Sequence, residues 1–565
     1  MKKTLVSVAL LGALSPLGGV LAAPAGSEDI NNAARATNAG VQLSQMQDYL
    51  ERELAERQIS EQRERARAEV EKKEEETRQT SDISFHLERL SIEGSKVLTA
   101  EELAAVKAQY EGRDVSVTDL YGAVDAVNRL YESHGYVTCR AFLRPQKIEG
   151  GVVRIDLAES TVGRVVLEGN KNTDAKYILN RLPLIEGSIP SIHKLNREQL
   201  RFNGTNDAQL RIVLKAGEAE GTTDYYITVK EPKNSSWSLF ADNMGAKSTG
   251  EYRMGLFYNN RSLSGRRNPL ILGTVFSQGT AAFSAMYSHP VGRSGGKLNF
   301  GMNFNTVRQV KHTEIYKTTG HASSFSLGYA QPICVSDTFR SEFSADLRRQ
   351  NSISDLNMKT GDYKLRLVDD TVTDLSLGLA MTKLGDRSVF YRKHTLTFGR
   401  SSADAYLKSG SKNFSLYKLS MLFQKYYQNG QNFSVRLEGQ YSFSKNLVSA
   451  REFYLGGMYS VRGYEENYLG GVSGLALSLE YGVPVTKDRK VRGFWFFDYG
   501  RIFRESGESK NADRYLMSTG LGVRAQLGEH ASGTLSFGFP LKRDFPGKAE
   551  HVSAVRVNFT ISAQF

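Results

Sequence analysis

Disulfide-forming residues are almost missing from this chain of 565 residues, which has only two cysteines and also only two tryptophans. Cys139 and Cys334 lie far apart and, on the division given below, in different domains. We therefore expect two single thiols, although distant cysteines can meet in a fold. The near-absence of cysteine excludes a scaffold that is held together by disulfides.

Long apolar runs are missing as well. After the N-terminus, no segment approaches the roughly 18 consecutive apolar residues that mark a spanning helix, which excludes a helical membrane protein. At the N-terminus, Lys2 and Lys3 precede a shorter apolar run over 5–17, and small residues follow. This layout is typical of a secretory signal peptide, so we predict that residues 1–25 are removed on export.

Motifs of hydrolases and nucleotide-binding proteins are also missing. The sequence contains no HExxH, no P-loop, and no GxSxG with a plausible histidine. The net charge of +12 is spread along the chain without a basic tract of the nucleic-acid-binding type. We therefore predict no enzymatic activity, no metal, no cofactor and no nucleic-acid partner.

The segment that follows the predicted signal peptide is densely charged. Between Glu51 and Thr80, eighteen of thirty residues are Asp, Glu, Lys or Arg. Just before and into this stretch, apolar residues recur at helical spacing, at Leu43, Met46, Leu50 and Leu54. Residues 26–80 are interpreted as an N-terminal helix and a charged linker. The pattern favours a solvated linker over 57–80 and leaves open whether the helix is solvated or lies in a polar cavity.

Two similar α/β units follow, over 81–160 and 161–232. The first is predicted in the order strand, helix, helix, strand, strand, with one strand over 85–92 and two over 137–143 and 152–157. Thr99 and Glu102 have the spacing of a capping box at the start of its first helix. The second unit repeats this order, and such an internal repeat indicates a duplicated module.

Residues 233–565 alternate between apolar and polar side chains in nearly every segment. In the last segment, polar residues interleave with Val555, Val557, Phe559, Ile561, Ala563 and Phe565. A soluble antiparallel sheet shows the same period. The length, the 27 tyrosines and 28 phenylalanines of the chain, and the terminal Phe565 favour a transmembrane barrel. At roughly 20 residues per strand and connection, this region predicts about 16 strands.

One connection in this region, about 444–473, is too long for a turn, and loops of that length are often functional. In its middle stand Val461, Arg462, Gly463 and Tyr464. Further along, Phe496, Asp498 and Gly500 occupy alternate positions of a segment whose other positions carry Trp and Tyr. If the apolar positions face lipid, Asp498 faces the water-filled side.

These features resemble the TpsB outer-membrane transporters of two-partner secretion, in the BamA/TpsB superfamily. The paired α/β units are similar to POTRA domains, and Val461-Arg462-Gly463-Tyr464 to the VRGY motif of the family's sixth extracellular loop. Phe496, Asp498 and Gly500 match the family's Phe-x-Asp-x-Gly strand motif. The terminal Phe565 resembles the signal that the barrel assembly machinery reads. Within the family, the chain looks closest to the haemolysin and contact-dependent-inhibition branch that includes ShlB, HecB, CdiB and FhaC.

The resemblance implies a membrane all-β fold: an antiparallel transmembrane β-barrel of about 16 strands, preceded by two small POTRA domains and an N-terminal helix. It implies a monomer in the lipid of the outer membrane, with its POTRA domains in the periplasm. The implied partner is a TpsA-type exoprotein with an N-terminal secretion domain, exported to the cell surface. Arg462 would fold inward and pair with Asp498. Residues within 38–58 would plug the barrel, and 59–80 would form the linker.

Three alternatives are weighed against this interpretation. A BamA-type insertase is disfavoured because insertases usually carry more POTRA domains and no plug helix. A passive outer-membrane channel would not explain the units at 81–232. A surface adhesin is disfavoured because nothing repetitive in the sequence projects outward.

Overall fold

The computed structural model describes residues 38–48, 50, 84–310, 316–359, 363–403, 412–504, 514–545 and 552–565. The predicted signal peptide, Leu54 and the predicted linker lie outside these residues. No helix in the described part of the chain is long and apolar enough to cross a membrane.

The first α/β unit contains β1 (Ser84–Leu87), β2 (Arg89–Ile92), α1 (Ala100–Lys107), β3 (Arg113–Ser116), α2 (Val117–Ser133), β4 (Cys139–Phe142) and β5 (Val152–Glu159). Strand β5 pairs in parallel with β2 and antiparallel with β4. The capping box predicted at Thr99 and Glu102 is confirmed. Both helices bury their apolar sides in a common core with the strands, which includes Leu103 and Val127.

The prediction of a single strand over 85–92 is wrong, because the chain changes partner at Glu88. Strand β1 pairs with β3, whereas β2 pairs with β5. At the break, the carbonyl oxygen of Gly151 accepts hydrogen bonds from the amides of Glu88 (2.9 Å) and Arg89 (3.2 Å). The Gly151 carbonyl thus accepts from two consecutive amides at the point where the β1–β3 ladder ends and the β2–β5 ladder begins.

The second unit contains β6 (Thr161–Glu168), α3 (Ala175–Leu179), α4 (Ile192–Thr205), β7 (Gln209–Ala216) and β8 (Thr222–Lys230), with β8 central in the sheet. The element order is the one that the sequence repeat predicts. This unit is fixed to the adjacent end of the barrel. The Arg181 guanidinium donates to the Gly292 carbonyl (2.8 Å), and Arg340 donates to the Gly204 carbonyl (2.8 Å). Arg267, almost fully buried in this joint, donates to Asp207 (2.6 Å).

Sixteen strands of the described residues close an antiparallel barrel in which β26 pairs with β9. They are β9 (Ser235–Asp242), β10 (Arg253–Asn260), β11 (Leu270–Ser277), β12 (Thr280–Val291), β13 (Gly296–Arg308), β14 (Tyr316–Val335), β15 (Phe339–Met358), β16 (Lys364–Gly385), β17 (Ser388–Ala403), β18 (Asn413–Tyr426), β19 (Asn432–Ser442), β22 (Ser473–Pro484), β23 (Val491–Arg504), β24 (Arg514–Leu527), β25 (Ala531–Pro540) and β26 (Arg556–Gln564). Strands β20 (Phe453–Leu455) and β21 (Leu469–Gly471) form a separate hairpin within the connection from β19 to β22.

The barrel wall is apolar outside and polar inside. Trp495 and Ile561 point outward and are 44% and 53% exposed, whereas Asp498, Ser518 and Asn558 point inward and are buried. A soluble protein has the opposite arrangement, with its apolar side chains inside. The outward apolar surface therefore matches a lipid environment, as the alternation in the sequence predicts.

Both cysteines are free thiols, one buried and one exposed. Burial raises the pKa of the Cys139 thiol to about 11. Because the thiolate is the reactive form, we expect a maleimide at neutral pH to label Cys334 quickly and Cys139 hardly at all. Mass spectrometry of the labelled protein checks this, with both cysteines labelled after denaturation. Equal labelling of the two thiols in the folded protein would contradict the buried position of Cys139.

Candidate functional site inside the barrel

Two elements lie inside the barrel: a helix formed by residues 39–48, here called the luminal helix, and the connection 443–472, here called the inner loop. The inner loop leaves the wall after Ser442 and returns at Ser473. Its two short strands hold its ends together, since Phe453 pairs with Gly471 and Leu455 with Leu469. The segment between them, which contains the predicted motif, reaches the inner wall.

Arg462 of the inner loop contacts Asp498 on β23 through three hydrogen bonds. Nε donates to Oδ2 (2.9 Å), Nη2 donates to Oδ1 (2.9 Å), and the backbone amide of Arg462 also donates to Oδ2 (3.0 Å). The Arg462 carbonyl accepts a bond from Asn558 on β26 (3.0 Å). Both charged side chains are buried, and such a bidentate arrangement is the strong form of a charge-assisted hydrogen bond.

A second pair of charges completes this site. Arg462 Nη1 donates to Glu480 on β22 (2.9 Å), and Glu480 also accepts from Arg524 Nη2 on β24 (3.0 Å). Two cations thus alternate with two carboxylates, and the formal charge of the group is zero. The Arg462 guanidinium lies 3.7 Å from the centre of the Phe496 ring, which explains an aromatic residue at that position of the strand motif.

The other motif residues hold the loop against the wall. Tyr464 is buried, and its hydroxyl donates to the Lys542 carbonyl (2.6 Å), while Val461 packs in an apolar cluster with Leu455. Gly463 and Gly500 permit close approach. A Cβ on Gly463 would lie 2.7 Å from Ser518 Cβ, and one on Gly500 would lie 2.7 Å from Leu455 Cδ2. Any larger side chain at either glycine would push the loop off the wall.

A further buried ion pair joins the inner loop to β16. Arg451 donates to Asp374 through Nε (3.0 Å) and Nη2 (2.7 Å), and both side chains are almost inaccessible. Arg451 Nη1 also lies 3.2 Å from the Ser44 hydroxyl of the luminal helix and 2.9 Å from Gln350 on β15. Arg451, a residue of the inner loop, therefore contacts both the barrel wall and the luminal helix.

The luminal helix is held mainly by amides and hydroxyls. The Gln42 amide donates to Thr249 (3.0 Å), and the Gln47 amide donates to Ser324 (2.7 Å). On its apolar side, Leu43 is fully buried beside Val307 and Ala322. Met46 packs against Phe240, Val275 and Ala282, and Leu50 is buried. The described helix thus lies in a polar cavity, and its few apolar side chains pack against the barrel wall.

Comparison with known proteins assigns the family. The sequence model of the haemolysin secretion/activation proteins ShlB/FhaC/HecB matches residues 221–525, more than half of the chain. The chain belongs to the ShlB/FhaC/HecB family. The model of the ShlB-type POTRA domain matches residues 85–160, the first α/β unit.

Similarity to individual proteins is consistent with this family assignment. A heme/hemopexin transporter protein, HuxB, of Haemophilus influenzae is 22% identical over 83% of this chain and 86% of its own length. An outer membrane transporter, CdiB, of Escherichia coli is 23% identical over 81% of this chain and 79% of its own length. The solved structure of CdiB from Escherichia coli has a TM-score of 0.69, with 22% identity over 93% of this chain and 99% of that chain. It has the same fold.

Membership of the ShlB/FhaC/HecB family means that this chain is an outer-membrane transporter of two-partner secretion, and the family favours that function over a BamA-type insertase. The POTRA domains are periplasmic, so the barrel end beside them faces the periplasm. The strands then place the inner loop at the opposite, extracellular end. It is the sixth connection there.

The sequence analysis missed several residues of this site: Glu480 and Arg524 beside Arg462, and the pair of Arg451 and Asp374. Asp374 and Glu480 stand at inward positions of alternating strands, and that position was a usable signal of a luminal charge. Which cation each one binds depends on how the inner loop crosses the lumen. Strand alternation carries no information about that path.

Proposed function

We propose that this transporter captures its partner with the periplasmic POTRA domains and passes it through the barrel lumen, and that the luminal helix leaves the pore while the inner loop stays anchored. The partner would be a large TpsA-type exoprotein with an N-terminal secretion domain, of the haemolysin, contact-dependent-inhibition or adhesin kind. The observation that carries the proposal is the difference between the contacts that hold these two luminal elements.

Most contacts of the described luminal helix with the wall are neutral hydrogen bonds, and the Gln47 amide oxygen also accepts a bond from the Arg348 guanidinium (3.2 Å). Neutral hydrogen bonds such as those of Gln42 and Gln47 each contribute about 0.5–1.5 kcal/mol net, and water in an open lumen can replace them. The inner loop is held by a buried charge pair, and removing one member of such a pair costs about 3–5 kcal/mol. The helix is therefore the element that an incoming chain can displace.

Arg451 supports an ordered release. Its bond to Ser44 links it to the helix, whereas its two bonds to Asp374 link it to the wall. When the helix leaves, Arg451 loses its contact with the Ser44 hydroxyl and keeps its ion pair with Asp374. The inner loop then stays in position beside an open path.

We further propose that the transporter catalyses no reaction and works as a monomer in outer-membrane lipid, with folding of the exported chain outside the cell as the driving force. Assembly would begin with recognition of Phe565 by the barrel assembly machinery. Phe565 is exposed, and its amide donates to the Trp237 carbonyl (2.9 Å) on β9. The terminal residue thus sits at the closing seam of the barrel, which fits a role in assembly.

Removal of the first POTRA domain tests the division of labour. We expect deletion of 81–160 to abolish export while the barrel still inserts, because capture and conduction lie in different domains. Export is measured as partner protein in the culture medium, and insertion as barrel protein in outer-membrane fractions. Normal amounts of exported partner would show that the first domain is dispensable.

Conductance in planar bilayers tests the releasable plug. Deletion of 26–58 is expected to raise the conductance of a folded barrel, and Arg451→Ala is expected to raise it to a lesser degree because the helix loses one contact and the loop one anchor. Arg451→Lys, which keeps the charge and loses the two-nitrogen contact with Asp374 Oδ2, should lie closer to wild type. Unchanged conductance of the 26–58 deletion would contradict the plug, and unchanged conductance of Arg451→Ala alone would contradict its coupling role.

A further inference from the structure

The outer surface of strands β15 to β17 carries an exposed basic pair. The register pairs Arg349 on β15 with Thr373 on β16, and Thr373 with Arg400 on β17. Their chain neighbours face the lumen: Arg348 bonds Asp374 there, and a Cβ on Gly399 would meet the buried Phe414 ring. Since successive side chains of a strand alternate, Arg349 and Arg400 point outward.

No acidic side chain neutralises this pair in the described part of the chain. Both arginines are exposed, and neither makes an ion pair there. The next outward positions toward the extracellular end are neutral: Asn351, Thr371 and Ser402. Asp369, one outward position further on β16, is paired with Arg366 (2.6 Å).

An apolar row lies directly on the periplasmic side of the pair. Leu347, Leu375 and Phe398 are paired in register on the same three strands and are 49%, 42% and 52% exposed. They stand two residues, or roughly 7 Å along the strand, from the two arginines. The basic pair thus marks the extracellular boundary of the lipid-facing surface on this side of the barrel.

We propose that Arg349 and Arg400 bind a phosphate group of the outer-leaflet glycolipid, whose acyl chains pack on Leu347, Leu375 and Phe398. The two arginines lie on either side of β16, so their backbones are separated by two strand spacings, roughly 10 Å, and their long side chains can converge on one phosphate above Thr373. Each guanidinium offers two parallel donors to phosphate oxygens, and the Thr373 hydroxyl can add a further donor. The charge of the pair and the apolar row beside it match one amphipathic anion.

The location selects the source of the phosphate. In a Gram-negative outer membrane, phosphorylated glycolipid fills the extracellular leaflet and glycerophospholipid the periplasmic one. Arg349 lies on the extracellular half of β15, nine residues before the extracellular end of that strand at Met358, and both arginines lie beyond the apolar row. A free phosphate has no acyl chains that could pack on the apolar row.

Native mass spectrometry of the detergent-purified full-length protein tests the proposal, with bisphosphorylated lipid A as the probe. Arg349→Ala with Arg400→Ala should raise the dissociation constant for lipid A at least tenfold, because two charge-assisted contacts are lost. Arg349→Lys with Arg400→Lys should bind lipid A with an affinity between those of the wild type and the double alanine variant. The lysines keep the charge but lack the paired donors of a guanidinium. The matched control is Lys383→Ala with Lys425→Ala, which removes two exposed charges from the periplasmic ends of β16 and β18. It should bind lipid A as the wild type does.

The assignment would be overturned by equal binding of lipid A to the double alanine variant and the wild type, by an equal loss in the Lys383 and Lys425 control, or by displacement of bound lipid A by inorganic phosphate. Phosphatidylglycerol provides the last arm. If it binds as well as lipid A and is lost in the same arginine variant, the site does not recognise the outer-leaflet lipid. Each variant should have the circular dichroism spectrum and the conductance of the wild type, which establishes that its barrel is folded.

Discussion

Arg462→Ala and Asp498→Ala should each reduce export about tenfold or more while the barrel remains in the outer membrane at near-normal levels. Each substitution leaves a buried charge without its main counter-ion, at a cost of about 3–5 kcal/mol to the anchored loop. A change of this size shifts the equilibrium constant between the anchored and the released loop by two or more orders of magnitude. In Arg462→Ala, the remaining bond of Glu480 with Arg524 does not involve the loop. In Asp498→Ala, Arg462 keeps its bond to Glu480 but loses three bonds to Asp498.

A double-mutant cycle separates this pair from its surroundings. Loop anchoring is measured as protease accessibility of the inner loop on whole cells, and export as partner protein in the medium. Coupling of the two alanine effects is expected, and strict additivity would show that Arg462 and Asp498 act separately. The exchange Arg462→Asp with Asp498→Arg should recover part of the activity.

The matched control for this cycle is Glu465→Ala, in the same loop. Glu465 forms an ion pair with Lys247, but both side chains are substantially exposed, at 38% and 48%. Exposed pairs contribute about 0–1 kcal/mol, so this variant should export normally. A loss of export in the control as large as that of Arg462→Ala would mean that any charge change in the loop is harmful.

A disulfide between the luminal helix and β14 should stop export completely when oxidised and restore it on reduction. A Cβ on Gly320 would lie 3.3 Å from Ala39 Cβ, slightly inside the roughly 3.5–4.5 Å that disulfides span, so a small shift suffices. The variant is Ala39→Cys with Gly320→Cys, in a Cys334→Ser background that lacks the exposed native thiol. The cross-linked helix cannot leave the lumen, and the exported chain then has no path.

The single variant Gly320→Cys is the control, since a side chain there also lies 3.0 Å from the Ile353 carbonyl oxygen and can disturb the wall by itself. Cross-linking is measured by the changed electrophoretic mobility of the unreduced protein. Undiminished export from a fully cross-linked transporter would refute the release of the helix. It would leave the family and the anchored loop unaffected.

Much of this architecture could be predicted from the sequence because the lipid and the lumen impose opposite demands on alternate residues. That alternation predicted the barrel and the inward orientation of the Asp498 side chain. The capping residues Thr99 and Glu102 identified a helix because both side chains bond backbone amides within one turn. The partner change at Glu88 was missed because it depends on which strands lie on either side, which a local pattern does not encode.

The pairing of Arg462 with Asp498 was inferred from family resemblance, and the residues around it show why physical patterns alone could not supply it. Arg451 and Arg462 belong to the same loop, and both bind an inward aspartate. Nothing in the spacing of the chain says which aspartate each arginine reaches. That choice follows from the path of residues 443–472 through the lumen, set by the packing of Leu455 and Val461.

The luminal helix is part of the same polypeptide as the pore that it fills, separated from the first POTRA strand by residues 51–83. If the helix leaves the lumen during export, as we propose, its return is intramolecular, and tethering gives an effective concentration on the order of millimolar. At that concentration, an intrinsic dissociation constant of about 1 mM already closes half of the pores, so each contact can stay weak. In the proposed cycle, the tether would thus allow a weakly bound helix to close the pore at rest and still be displaced by the exported chain.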